Sequence, residues 1–169
     1  TSMQHDLSQF RLWYDQAGTP EVTVTLQKND GEYKLKFSQK HFATHEQTIK
    51  SNLQIPIKFT IYDSLGERIE IPEFNDYLSN GAYLVDLSAG LLELKFKSNA
   101  DNLFVSALES FSAPVKLHDE LTLCQRLLLA ERTADGYQKF KQMQKAHIAC
   151  IDSWLSSKDV TKFSNLSDL

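Results

Sequence analysis

No His-Glu-x-x-His string occurs in this chain. The nearest approach, His45-Glu46, has Ile49 where the second histidine would stand. That excludes the helical zinc site of a metallopeptidase, in which two histidines one turn apart hold the metal and the glutamate acts as base. His41 and His45 are four residues apart, but Phe42 occupies the place of the catalytic Glu. No Gly-x-Ser-x-Gly elbow is present to raise a serine nucleophile. The 6 glycines are too scattered for a phosphate-cradling loop. Cysteine is scarce. Cys124 and Cys150 are too few for a secreted disulfide scaffold, which favours a reducing compartment, and too far apart for a Cys-x-x-Cys metal site. Basic charge is short as well, with 18 Lys and Arg against 22 Asp and Glu and a net charge of −4. No surplus is available to neutralise phosphates, so nucleic acid is not an expected partner. No run of about 18 apolar residues exists, so no helix is expected to span a membrane. The opening TSMQHDLSQF has neither the basic segment nor the apolar run of a signal peptide. The chain starts on Thr rather than Met, the look of a piece cut from a longer frame, although processing or a cloning scar gives the same start.

What is present is ordinary globular material. Hydrophobic residues make up 41% and charged residues 24% of 169, which suits one domain, or one domain with an appendage. Asp6 is a candidate helix N-cap, with Leu7, Phe10 and Tyr14 at helical spacing and Gly18 as C-cap. After Thr19-Pro20 the period drops to two. Val22, Val24 and Leu26 alternate with polar residues, Asn29-Asp30-Gly31 turns the chain, and Tyr33, Leu35 and Phe37 alternate again. That pattern predicts a β-hairpin. Residues 41–54 read as a polar connection. Ile55, Ile57, Phe59 and Ile61 form the next strand, followed by Ile69 and Ile71 and by short strands at 83–87, 91–97 and 103–108. About seven short strands separated by turns make an antiparallel sandwich. None of the long helices that parallel crossovers require lies among them.

Beyond Pro114 the periodicity becomes helical. Residues 119–131 place Leu121, Cys124, Leu127 and Leu128 on one face; Cys124 and Cys150 both fall on apolar helical stripes, where buried, inert thiols are expected. Asp119 and Glu120 suit the start of this helix. Asp135 is a candidate cap for a second helix, with Tyr137, Phe140, His147, Ile151, Trp154 and Leu155 near one stripe. The two make an αα-hairpin, and such a pair needs something to dock on. The lysines 139, 141 and 145 read as a solvated face. His41 and His45 read as solvent-facing loop histidines, and a small hydrolase built on them is the alternative. Phe10, Trp13 and Tyr14 either cover the open rim of the sandwich or form a contact surface for a neighbouring domain.

Two stretches carry a resemblance. Residues 10–24, FRLWYDQAGTPEVTV, and 111–117, FSAPVKL, resemble signature segments of the bacterial aminopeptidase N family of zinc peptidases. Phe10, Arg11, Trp13, Tyr14, Gln16, Gly18, Thr19, Pro20 and Val22 match the start of that family's third domain, and 111–117 resembles its end. Asp119, Leu121, Arg132, Asp135 and Phe140 resemble the first helices of the family's C-terminal helical domain. The middle strands match only in pattern. The resemblance implies an immunoglobulin-like β-sandwich without catalytic residues, joining a thermolysin-like catalytic domain to a helical superhelix. It implies a cytoplasmic parent that removes N-terminal residues from peptides with a zinc ion. No residue here matches the catalytic positions, and the family's Gly-x-Met-Glu-Asn substrate motif is also missing.

The resulting expectation is a mainly β chain. Residues 1–117 form an Ig-like antiparallel β-sandwich with a short N-terminal helix, and 118–169 form the first helices of a truncated α-helical domain. It has no catalytic, cofactor-binding or metal residues of its own. Its role is that of a non-catalytic linker, with zinc and peptide substrates handled only by the parent enzyme. Its partners are the neighbouring catalytic and C-terminal helical domains, with Phe10, Trp13 and Tyr14 as the interdomain contact. A free-standing Ig-like protein-binding module is the alternative.

Overall fold

Alternating polarity shapes the first half of the chain as expected. In the computed structural model, which describes residues 8–133 and 136–156, helix Ser8–Asp15 (α1) leads into strands Glu21–Asn29 (β1) and Glu32–Lys40 (β2). Strands Pro56–Tyr62 (β3), Arg68–Ile69 (β4), Leu78–Ser79 (β5), Ala82–Asp86 (β6), Leu91–Lys97 (β7), Phe104–Ala107 (β8) and Lys116–Asp119 (β9) follow. Helices Leu123–Arg132 (α2) and Gly136–Ser156 (α3) come last. The β1–β2 hairpin closes through Asp30 at φ 48° and Gly31 at φ 81°. Two successive left-handed residues make the turn whose twist matches the flanking strands. Asn80 at φ 47° and Gly81 at φ 81° repeat that turn between β5 and β6.

The strands form two sheets. One has the order β7-β2-β1-β9; in the other, β3 pairs with β4, β6 and β8, and β5 extends β6. Phe59 pairs with both Tyr83 and Ala107, so β6 and β8 lie on opposite edges of β3. Side chains from both sheets meet in the middle. Phe37 and Phe59 have ring centroids 5.2 Å apart, and Phe74, from a 3₁₀ turn over Pro72–Tyr77, meets Phe96 at 5.3 Å. The buried Tyr83 hydroxyl accepts the Ile71 N–H at 2.7 Å, so its polar end is satisfied. The architecture is the mainly β, Ig-like sandwich followed by helices that the sequence predicted. Among the described strands, the one departure from antiparallel pairing is β1 with β9.

Two strands were missed from the sequence. β5 is only two residues long, too short to show a period, although Asn80-Gly81 was a turn signal. β9 occupies Lys116–Asp119, so Asp119 belongs to a strand and does not start a helix. Its alternation has a physical cause: Leu117 packs on the core, while Lys116 and His118 reach Glu21 across the parallel pair at 2.8 and 2.7 Å. The connection over 41–54 is also less polar than predicted. Leu53 is 1% exposed and belongs to the core.

The chain divides into two compact units, Thr1–Leu121 and Thr122–Leu169. The second starts with a capping box: Thr122 Oγ1 accepts the Gln125 N–H at 3.3 Å, and Gln125 Oε1 accepts the Thr122 N–H at 2.8 Å. Arg126 Nη1 donates to Gln142 Oε1 at 3.2 Å, tying α2 to α3. The buried positions of α3 are Gln138, Gln142 and Ala146. They recur every four residues and present a small, polar face. The apolar stripe, read as needing something to dock on, is exposed, with Phe140 at 67% and Ile151 and Leu155 also open. Cys124 and Cys150 are exposed too, against the expectation of buried thiols. Helical periodicity identifies faces, but the face that is buried here carries Ala130 on α2 and Gln138, Gln142 and Ala146 on α3. Asp6, Leu7 and Asp135 lie outside the described residues, as do the side chains of Phe10 and Trp154.

Candidate functional site

A helix of two turns is marginal in isolation, and its last carbonyls have no partners within it. Residues 41–51 supply them for α1. Gln47 Nε2 donates to Asp15 O at 2.7 Å, and its Oε1 accepts the Ala17 N–H at 2.8 Å. Lys50 Nζ donates to Ala17 O at 2.8 Å, and His41 Nε2 reaches the same oxygen at 3.1 Å. Gln16 Nε2 donates to Ser51 O at 3.2 Å, and Gln16 Oε1 accepts the Ser51 N–H at 2.6 Å. A basic group at a helix C-terminus also complements the dipole. Gly18, at φ 95°, gives the left-handed exit that a C-cap needs. His41 is therefore half-buried and hydrogen-bonded; it is not the solvent-facing loop residue expected, while His45 is exposed. Among the described residues, no three His, Cys, Asp or Glu side chains are grouped as a metal centre requires.

This clamp fixes the aromatics of α1. Trp13 packs partly on the core, and its Nε1 donates to Gln54 O at 3.1 Å. Gln54 Nε2 in turn donates to Asp86 Oδ2 at 2.5 Å. Tyr14 points outward and is 78% exposed. The structure thus separates the two residues: Trp13 is an anchor and Tyr14 a surface group. Between them and the outer face of the β3–β6 pair lies an open groove of about 720 Å³. Trp13, Tyr14, Pro56 and Leu84 give it an apolar lining, and residues 112–114 form the opposite wall. Leu84 is on the outer face because strand alternation sends Tyr83 and Val85 inward.

The segment that leads into that wall is held in a costly backbone conformation. Leu108, Ser110 and Phe111 have φ of 59°, 53° and 54°. None is glycine, and a left-handed residue of this kind costs roughly 1–2 kcal/mol. The segment is pinned on both sides. Leu108 and Ala113 are buried, Ser112 Oγ accepts the Lys58 N–H at 3.1 Å, and Glu109 Oε2 accepts the Thr60 hydroxyl at 2.9 Å. Burial pushes the nearby Tyr62 phenol up to about 12, with the Glu109 carboxylate adding to the shift. At the β1–β9 edge, the hydrogen bond from Lys116 holds the Glu21 carboxyl below its usual range, with His118 contributing. Sequence reading singled out Trp13 and Tyr14 but missed Gln47, Lys50, Gln54 and Asp86. Their partners lie 30 or more residues away along the chain. The one available signal was the run of amide and basic residues inside a segment that otherwise reads as a plain linker.

A family described as a domain of unknown function (DUF3458) with an Ig-like fold matches residues 18–120. The chain is 33% identical over 114 residues to the aminopeptidase N of Haemophilus influenzae, covering 66% of this chain and 13% of that protein. It is 31% identical over 145 residues to the aminopeptidase N of Escherichia coli K12, covering 82% of this chain and 16% of that protein. Among solved structures, Legionella pneumophila aminopeptidase A in complex with aspartic acid superposes with a TM-score of 0.71 at 26% identity. That match covers 92% of this chain and 16% of the other. The chain thus spans 13 to 16% of the length of these relatives.

Proposed function

The chain belongs to the DUF3458 family as an aminopeptidase N-like Ig-like domain, and from that premise we propose that it is a non-catalytic linker within a zinc aminopeptidase that trims N-terminal residues from peptides. The observation that carries this reading is one of proportion: the matching relatives are peptidases, and the match occupies about a sixth of them or less. The residues present do not fit a catalytic zinc. The chain has no His-Glu-x-x-His, and His41 Nε2 is held by Ala17 O. Zinc in the parent supplies a Lewis acid for the scissile carbonyl and an activated water, on groups outside residues 1–169.

What these residues do under this reading is orient. The clamp over 41–51 fixes α1, α1 fixes Trp13 and Tyr14, and the groove beside them receives the adjoining catalytic domain. Phe10, Trp13 and Tyr14 are the proposed interdomain contact. Residues 118–169 begin the following helical domain, and further helices of the parent cover the apolar face of α3. The parent works in the cytoplasm, a placement supported by two unpaired, exposed cysteines. Among the described residues, no helix is long and apolar enough to cross a membrane.

Sequencing the gene on both sides of this segment tests the reading. An upstream His-Glu-x-x-His followed by a Glu ligand in the same frame supports it. A frame that starts near Met3 and stops near Leu169 overturns it in favour of a free-standing Ig-like binding module.

A further inference from the structure

The groove contains one group that a purely apolar docking surface would not need. Among the described residues that line it, Asp86 is the single charged one. Its cross-strand partner is Pro56, which offers no donor. Lys58, two pairs further along in register and opposite Leu84, makes no ion pair with it. One carboxylate oxygen, Oδ2, takes the Gln54 amide, and Gln54 is itself fixed by Trp13. The carboxylate is therefore held in orientation with Oδ1 still available, beside the 78% exposed Tyr14 ring and the 43% exposed Leu84.

We infer that this groove is an arginine-docking site, in which a guanidinium from the adjoining polypeptide pairs with Asp86 and lies against Tyr14 and Trp13. The inference rests on the reading of the chain as one domain of a longer protein. Charge complementarity selects a cation, since the only fixed charge in the groove is negative and the whole chain carries −4. The aromatic and proline lining selects which cation. A guanidinium is planar, weakly hydrated and able to stack while donating to a carboxylate, whereas an ammonium is compact and strongly hydrated. The aliphatic stem of arginine would cover Leu84 and Pro56 as the head group reaches Asp86.

The test is a heteronuclear NMR titration of the full 169-residue chain with three blocked single-residue probes: N-acetyl-arginine, N-acetyl-citrulline and N-acetyl-lysine methylamides. Citrulline keeps the shape and removes the charge. The arginine probe at millimolar concentration is expected to shift the Trp13 indole and Gln54 side-chain amide signals. It should bind about tenfold more tightly than citrulline, the lower range for a charge-assisted hydrogen bond. Asp86→Asn, which keeps an acceptor for Gln54, should abolish that preference while the amide spectrum stays folded. Equal binding of arginine and citrulline overturns the proposal, as does an Asp86→Asn chain that still prefers arginine, or a Trp13 indole that no probe moves. A lysine probe that binds as well as arginine overturns the stacking argument. The outcome is separable from that of the parent reading, which stands or falls on the flanking reading frame.

Discussion

Gln39→Leu should destabilise the sandwich more than any ordinary change at a half-buried strand end. The Gln39 amide bridges three backbone groups: Nε2 donates to Leu53 O at 2.8 Å and to Leu87 O, and Oε1 accepts the Leu53 N–H at 2.9 Å. Leu53 is 1% exposed and Leu87 0%, so water cannot easily replace the lost partner. Leucine has a similar volume and keeps the site dry. A buried backbone group left without a partner costs about 1–3 kcal/mol. The Leu53 N–H has no second acceptor to turn to, while carbonyls relax more readily. The expected loss is thus about 3 kcal/mol, or a Tm lowered by about 10 °C at roughly 3 °C per kcal/mol for a chain of this size.

The same change should reach the groove, because Leu53 directly precedes Gln54, whose carbonyl holds the Trp13 indole. Thermal unfolding followed by circular dichroism gives the first number. Hydrogen exchange of the Leu53 amide and the Trp13 indole gives the second. Gln39→Glu, which sets a carboxylate oxygen against the Leu53 and Leu87 carbonyl oxygens, should cost at least as much as leucine. A Tm lowered by less than about 3 °C, with Leu53 exchange unchanged, would refute the claim that this amide carries the 53–54 segment.

Tyr62→Phe should flatten the alkaline limb of stability. The folded phenol pKa is raised from 10.0 to about 12, so its contribution is fully present below pH 10 and is lost as pH rises towards 12. The gap between native chain and variant should therefore narrow across that window, and an unchanged gap would contradict the assignment. Ser110→Gly should raise Tm by a few degrees by relieving a left-handed serine, worth about 1 kcal/mol; a lowered Tm would mean that the segment is not strained there. Both Cys124 and Cys150 should react with a thiol reagent in the native chain, without denaturant; protection of either would return it to the buried class that helical periodicity suggested.

Legibility in this chain follows the range of the interaction. The β1–β2 hairpin was visible because its causes are local: alternating Val22, Val24 and Tyr33, Leu35, Phe37 around Asp30-Gly31. The sandwich class was visible because the turn signals recur at strand spacing. β9 was not, because four residues of alternation after Pro114 are equally the first turn of a helix, and what decides is the open edge of β1 far away in sequence. The packed face of α3 was not visible for a related reason. Phe140, Ile151 and Leu155 outscore Gln138 and Gln142 on any hydrophobic scale, yet the positions buried are Gln138, Gln142 and Ala146, with Arg126 of α2 bonded to Gln142.

The candidate site was the least legible part, and the reason is chemical. Residues 41–54 have almost no backbone pairing of their own, apart from the bridge between Thr44 and Gln47. The irregular backbone must still satisfy its N–H and C=O groups. Neutral amides do this: Gln16 bonds both backbone groups of Ser51 and Gln39 both of Leu53, while Gln47 returns the same service to Asp15 and Ala17; each carries a donor and an acceptor on one head. Such residues leave no period and no charge pattern, so a sequence scan passes over them as linker. That chemistry also separates framework from ligand. Apart from Lys50 and the carboxylates of Asp86 and Glu109, the bonds that place Trp13 and the groove join uncharged groups, and none of them is a pair of opposite charges; pairing of an outside guanidinium with exposed Asp86 is such a pair and is screened by salt. Raising salt should therefore weaken arginine docking while leaving the Trp13–Gln54 bond in place. If the indole signal of the ligand-free chain also moved with salt, the Trp13–Gln54 bond would not be a salt-indifferent framework contact.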